Sequence, residues 1–236
     1  MNPDYANVHA FICFELGNVQ RQLGQFDAAI ENFQKTIEID PQNFWAHWIL
    51  GDIAKSQARW QEADVYYKHT IELNPNHAYS YVELGNAQRH LGQLDVAIES
   101  CQKAIELDPQ NFWAHWILGD ITKSQAKWQE ATAYYQRAIE LNPSYANTHA
   151  FIWFELGNVQ RQLGQFDAVI ENCRKAIELD PQHFWAYWVL GDIAKAQANW
   201  QAAVDYYQRA TEIDPSYSNA HVELENAQRQ LIGHLA

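Results

Sequence analysis

All seven prolines of the 236-residue chain fall on one lattice. Pro3, Pro41, Pro75, Pro109, Pro143, Pro181 and Pro215 stand 38, 34, 34, 34, 38 and 34 residues apart. Gly17, Gly51, Gly85, Gly119, Gly157 and Gly191 keep the same rhythm, each 24 residues before the next proline. Glycine and proline are the main punctuation of local structure, so one supersecondary unit is being restated about six times. A period of this length builds a solenoid or array, in which each unit buries its apolar face only against its neighbours.

Between the punctuation marks the pattern is helical. From Phe44 to Ala58 the chain reads F-W-A-H-W-I-L-G-D-I-A-K-S-Q-A, and from Trp60 to Leu73 W-Q-E-A-D-V-Y-Y-K-H-T-I-E-L. Apolar residues recur at i+3 and i+4 in both, which argues helix over strand. Ala58-Arg59, replaced by Gly-Gln in alternate units, marks a tight turn. The Asn-Pro or Asp-Pro that follows stops the second helix, because the residue before proline is pushed out of the α region. The product is an all-α stack of antiparallel helix pairs.

With the proline at position 32, position 7 is Leu16, Leu50, Leu84, Leu118, Leu156, Leu190 and Leu224. Position 8 is the glycine above, with Glu225 in the last unit. Position 20 is Ala29, Ala63, Ala97, Ala131, Val169 and Ala203, and position 24 is Phe33, Tyr67, Cys101, Tyr135, Cys173 and Tyr207. This set resembles the tetratricopeptide repeat (TPR) over nearly the whole chain. It departs at position 4, where Cys13, His47, Tyr81, His115, Trp153, Tyr187 and His221 stand, and at position 11, where Gln20, Gln88, Gln160 and Gln228 alternate with Ala or Thr. The resemblance implies a right-handed α-solenoid superhelix of about six repeats plus a C-terminal capping helix.

Alternate units match better than adjacent ones. An A type containing L-G-N alternates with a B type containing N/H-F-W-A-H/Y-W. We expect a single solenoid over 1–236, with repeats near 10–43, 44–77, 78–111, 112–145, 150–183 and 184–217, and a partial repeat or cap over 218–236. Asn2-Pro3 reads as the close of a preceding repeat. The two 38-residue steps place insertions of about one helical turn near 4–9 and 144–149. The expectation is a first helix lengthened at its N-terminus; the alternative is a longer loop that bends the array near Pro143–Pro181.

The net charge of −13 disfavours nucleic acid and anionic membranes as partners, since both want a basic face. There is no apolar run long enough for a membrane span and no secretory leader pattern. Cys13, Cys101 and Cys173 are odd in number and far apart, which suits a reducing cytoplasm better than a disulfide framework or zinc site. Cys101 and Cys173 read as small buried hydrophobes. His47, His115 and His221 sit at a seam position and read as core histidines. Glu31–Lys35, Glu99–Lys103 and Glu171–Lys175 read as i,i+4 pairs on a solvated outer face. No nucleophile elbow, P-loop or zincin motif appears, and nothing proposes an enzyme, a cofactor or a metal.

In the TPR family the first helices line a concave groove. The resemblance carries that face to position 2 (Phe11, Trp45, Tyr79, Trp113, Phe151, Trp185) and position 5 (Phe14, Trp48, Val82, Trp116, Phe154, Trp188). Position 9 alternates Asn18, Asp52, Asn86, Asp120, Asn158 and Asp192, and position 12 alternates Arg21, Lys55, Arg89, Lys123, Arg161 and Lys195. Spacings of three and four put these positions on one helix face. An aromatic stripe beside amides and a free Arg suits a peptide or helical segment of another protein, the aromatics anchoring it. Alternatively the aromatics wedge between helices and set the twist, and Asp52–Lys55, Asp120–Lys123 and Asp192–Lys195 are ordinary i,i+3 pairs. A carboxylate clamp is disfavoured, because position 5 lacks Lys and position 6 reads Glu15, Ile49, Glu83, Ile117, Glu155 and Val189. Two further readings are end-to-end self-assembly into homo-oligomers through an open apolar end, and a carbohydrate or small-ligand groove.

Overall fold

The computed structural model describes residues 3–142 and 146–235, with side chains from 5–142 and 150–234. The described residues form thirteen helices. They are α1 (Pro3–Gln22), α2 (Phe26–Ile39), α3 (Phe44–Ser56), α4 (Trp60–Leu73), α5 (Ala78–His90), α6 (Leu94–Leu107), α7 (Phe112–Ser124), α8 (Trp128–Leu141), α9 (Ala146–Gln162), α10 (Phe166–Leu179), α11 (Phe184–Ala196), α12 (Trp200–Ile213) and α13 (Ser218–Leu235). The chain divides into two compact halves, Met1–Ile117 and Leu118–Ala236. In the first, α1 pairs with α2, α3 with α4 and α5 with α6, while α2 packs on α3 and α4 on α5. In the second, α9 pairs with α10 and α11 with α12, while α8 packs on α9, α10 on α11 and α12 on α13.

Each connection follows from its residues. Asp40, before Pro41, is extended (φ −129°, ψ 86°), and its Oδ1 accepts from the Gln42 N–H at 3.2 Å. Asn74, Asp108, Asp180 and Asp214 make the same Asx turn. The Asn43 side chain then caps α3 by accepting from the Ala46 N–H at 3.0 Å. Within a pair, the turn after the first helix needs a left-handed residue. The A repeats supply Gly24, Gly92 and Gly164 (φ 71–74°), but the B repeats hold Ala58, Ala126 and Ala198 at φ 54–57°. At Ala58 the pattern is a Schellman motif: Arg59 N–H donates to Ala54 O at 2.8 Å and Ala58 N–H to Lys55 O at 3.0 Å.

The seam is built by small residues against rings. Position 20 is fully buried in every repeat, from Ala29 to Ala203, and position 24 is at most 1 % exposed. A Cβ on Gly119 would stand 2.6 Å from the Tyr135 ring, and one on Gly51 2.8 Å from Tyr67. Close approach therefore demands glycine at Gly51 and Gly119, whereas a Cβ on Gly157 would stand 3.6 Å from its nearest neighbour. Position 11 is explained too. Gln20 Oε1 accepts from Asn32 at 2.8 Å, Gln88 Oε1 accepts from Ser100 at 2.8 Å, and Gln160 pairs with Asn172, so the half-buried Gln20 and the buried Gln88 and Gln160 of the A repeats each find a partner at position 23.

α1 has 20 residues and α9 has 17, against 13 for α3, α5, α7 and α11. The extra residues lie at the N-terminal ends; residues 143–145, on which the expected irregular step falls, lie outside the described residues.

Candidate functional site

The stripe expected on the first helices separates into two rows. Position 2 faces solvent: Phe11, Trp45, Tyr79, Phe151 and Trp185 are 64, 57, 44, 41 and 47 % exposed, and Trp113 is half-buried. Position 5 turns inward. Val82 and Phe154 are buried, and Phe14, Trp48 and Trp188 are half-buried against the cores beneath them. Trp116 is half-buried with its ring centre 4.9 Å from Trp113. Two aromatic clusters brace the outer row. Phe44 meets Trp45 edge-on at 5.1 Å and His77 at 5.0 Å, while Phe184 meets Trp185 at 5.0 Å and Tyr217 at 5.1 Å.

Positions 9 and 12 of the B repeats are engaged in a clasp that recurs three times. Tyr67, Tyr135 and Tyr207 donate their hydroxyls to Asp52, Asp120 and Asp192 at 2.9, 2.7 and 2.6 Å. Lys55, Lys123 and Lys195 lie beside those aspartates at 3.1, 3.7 and 4.0 Å, and reach across to Glu83, Glu155 and Glu223 of the following A helix at 2.9, 2.8 and 2.8 Å. Burial, reinforced by the nearby carboxylates, pushes the Tyr67 and Tyr207 phenols well above their ordinary value, so they remain donors. Burial alone would lower the Lys55 ammonium, but Glu83 and Asp52 hold it above the ordinary lysine value. Sequence reasoning found the Asp–Lys step of each clasp and missed the glutamate. Its trace was there: Glu83 and Glu155 alternate with Ile and Val at position 6, in step with the Lys/Arg alternation at position 12.

In the A repeats the cations are less tied. Asn18, Asn86 and Asn158 are half-buried, and Arg21 and Arg161 are exposed. The expectation of a free arginine fails at Arg89, which donates to Asn86 Oδ1 at 3.1 Å and lies 3.1 Å from His90 Nε2. The i,i+3 spacing that makes Asp–Lys pairs elsewhere makes this amide–guanidinium pair here. A cleft of about 400 Å³ brings Arg21 together with Phe26, Asp52, Ile53, Lys55 and Ser56. Groups from positions 9 and 12 of consecutive repeats thus share one opening, able to offer a guanidinium to an acidic or backbone carbonyl partner.

Elsewhere the side chains depart from expectation in three places. His47 is buried with Nε2 3.3 Å from Pro41 O, but His115 is half-buried, and His221 is exposed, with no second helix over it among the described residues. On the outer helices Lys103 and Lys175 pair with Glu106 and Glu178 at i+3, nearer than the glutamates four residues before them. A cleft of about 560 Å³ opens on the second-helix side, lined by Ile37, His47, Val65, Tyr66 and His69 among others; nothing in the sequence pattern singled it out. Among the described residues no group of three His, Cys, Asp or Glu is placed to hold a metal, and no helix is long and apolar enough to cross a membrane.

No curated protein sequence matches the chain significantly. Solved structures do. The chain is similar to MamA (29 % identity, TM-score 0.63, covering 72 % of this chain and 97 % of that one). It is also similar to Pseudomonas aeruginosa PilF (17 %, TM-score 0.75, 98 % and 100 %) and to YrrB, described as a TPR protein with an unusual peptide-binding site (23 %, TM-score 0.62, 80 % and 95 %). The TPR repeat model matches residues 17–58 and 85–125, and tetratricopeptide repeat models match 66–99, 114–145, 150–183 and 186–217. With the glycine and alanine seam, the Asx turn and the helix pairing repeated along it, the chain belongs to the tetratricopeptide repeat family.

Proposed function

We propose that this TPR protein is an interaction scaffold whose first-helix face binds an extended or helical segment of another protein. The observation that carries the reading is the outer aromatic row. Packing draws position 5 inward, yet position 2 keeps Phe, Trp or Tyr at 41–64 % exposure on five first helices, where water contact is costly and no seam requires a ring. Those rings act as anchors, and the Arg21 cleft supplies the polar component. The TPR fold carries a peptide-binding site in YrrB, which supports the same use here. The reading is of a binding module and not an enzyme, set in a reducing cytoplasm, where the buried thiols of Cys13, Cys101 and Cys173 stay free.

The test is selection of a displayed random-peptide library on the chain, followed by binding of the enriched peptides to Trp45→Ala/Tyr79→Ala and Phe151→Ala/Trp185→Ala variants. Loss of at least about tenfold in affinity from either pair, with helical circular dichroism unchanged, supports the reading. Peptides that bind both variants as well as the parent chain, or enrichment indifferent to the aromatic row, overturn it.

A further inference from the structure

α1 carries an apolar stripe that nothing covers among the described residues. Tyr5, Val8, Ile12, Leu16, Val19 and Leu23 are 72, 57, 56, 46, 51 and 67 % exposed. At 100° per residue they occupy an arc of roughly 80°, turned away from the seam with α2, with Phe11 roughly 60° beyond its Val8 edge. The chain itself shows what such a stripe is built for. α9 is nearly the same sequence, and its equivalents Ile152, Leu156 and Val159 are 0, 2 and 1 % exposed beneath α8. The difference between 46–56 % and 0–2 % is the presence of one helix across the stripe.

We propose that the α1 stripe is a homodimer interface, on which α1 of a second copy lies antiparallel. The occupant follows from what each copy leaves open. The second-helix surface that covers α9 is supplied by α8 and is already used there, and the matching surface of α12 is covered by α13 through Ala220 and Ala227, both fully buried. Docking on either would displace a packed helix, whereas pairing two α1 stripes displaces nothing. The stripe is also self-complementary. Turned about a twofold axis near residue 14, Tyr5 meets Leu23, Val8 meets Val19 and Ile12 meets Leu16, so every large side chain faces another. α13, the other terminal helix, exposes His221, Glu225, Gln228 and Arg229 with only Val222 and Ile232 between, and carries no comparable stripe. The stripe offers roughly 600 Å² per copy, about 1,200 Å² for the pair, at the lower edge of a specific interface. A dissociation constant in the micromolar range is the corresponding expectation. The two-helix geometry is that of antiparallel bundle neighbours, crossing at about 20°. The proposal is independent of the aromatic row, since no stripe residue belongs to that row and the variants that test the row leave α1 unchanged.

The experiment is sedimentation equilibrium on the full chain across a hundredfold concentration range. A concentration-dependent monomer–dimer equilibrium is expected. Ile12→Lys and Leu16→Glu should each shift dissociation at least about tenfold while leaving helical circular dichroism unchanged, because both positions are already in water in the monomer. Mixing the two variants should restore dimers, because an antiparallel pairing about residue 14 sets the lysine introduced in one copy against the glutamate introduced in the other. A monomer at every concentration overturns the proposal. So does self-association that survives both substitutions, which would place the contact elsewhere, or a mixture of the variants that stays monomeric.

Discussion

Two glycines at the same repeat position should respond to alanine with opposite signs. A Cβ on Gly119 would meet Cε1 and Cδ1 of Tyr135 at 2.6 and 2.7 Å. That ring is fully buried and its hydroxyl is tied to Asp120, so it has no room to retreat. Overpacking of this kind, relieved only by a shift of about 1 Å, costs about 1–3 kcal/mol, against which alanine recovers about 1 kcal/mol of helix propensity. A net loss of up to about 2 kcal/mol follows. A Cβ on Gly157 would instead find Asn172 Cβ at 3.6 Å and Cys173 Sγ at 3.7 Å, ordinary contact distances. Gly157→Ala should therefore stabilise by about 0.5–1 kcal/mol. Both sites lie in the C-terminal half, so urea unfolding followed by helical circular dichroism, checked by calorimetry for a single transition, compares them directly. If Gly157→Ala destabilises as much as Gly119→Ala, steric approach to position 24 is the wrong explanation for this glycine.

Replacing Ala58, Ala126 and Ala198 by glycine should each raise stability by about 0.5–1 kcal/mol in chemical denaturation, since left-handed strain exceeds the extra unfolded-state entropy. Lys123→Met leaves the Glu155 carboxylate, 8 % exposed, without its cation and should cost about 1–3 kcal/mol, while adding Glu155→Leu should recover most of it. Burial lowers the pKa of His47, with a further push from His69, and likewise of His77 and His183. The folded state takes up these protons at lower pH than the unfolded one, so stability is full above the free-histidine pKa of about 6.5 and is lost as pH falls through that range. Thermal melts from about pH 7.5 to about pH 5.5 should show the decline, and His47→Asn should flatten it. Burial pushes the Cys101 and Cys173 thiols up to about 12, so native alkylation at about pH 8 should run at least ~100-fold slower than in urea, as read by mass spectrometry.

The repeat boundaries were legible because they depend on short-range chemistry: an Asp or Asn before proline makes the same turn wherever it stands. The alanines at φ 54–57° were not, because alanine carries no mark of the left-handed state that glycine announces in the A repeats. The division of the aromatic face had the same difficulty at longer range. A helical wheel places Trp45 and Trp48 on one face, but whether each is covered depends on His77 and Tyr67, contributed by the turn after α4 and by α4 itself. The clasp glutamates stand 28 or 32 residues from their lysines, beyond any local spacing rule, and were visible only as a rhythm.

That rhythm bears on how a chain of near-copies folds in the right order. Helices this similar invite each to settle against the wrong neighbour, and mispairing is a characteristic failure of repeat proteins. A lysine at position 12 of a B repeat finds a second carboxylate, beyond the aspartate of its own helix, only if an A helix follows. Against another B helix it would meet Ile49, Ile117 or Val189, each at most 7 % exposed, and would lose its closer carboxylate to apolar surroundings, keeping only the aspartate of its own helix. The three clasps thus act as keys that fit one succession of helices, penalising skipped or doubled repeats where the seam, with leucine, glycine and alanine common to nearly every repeat, would accept them equally.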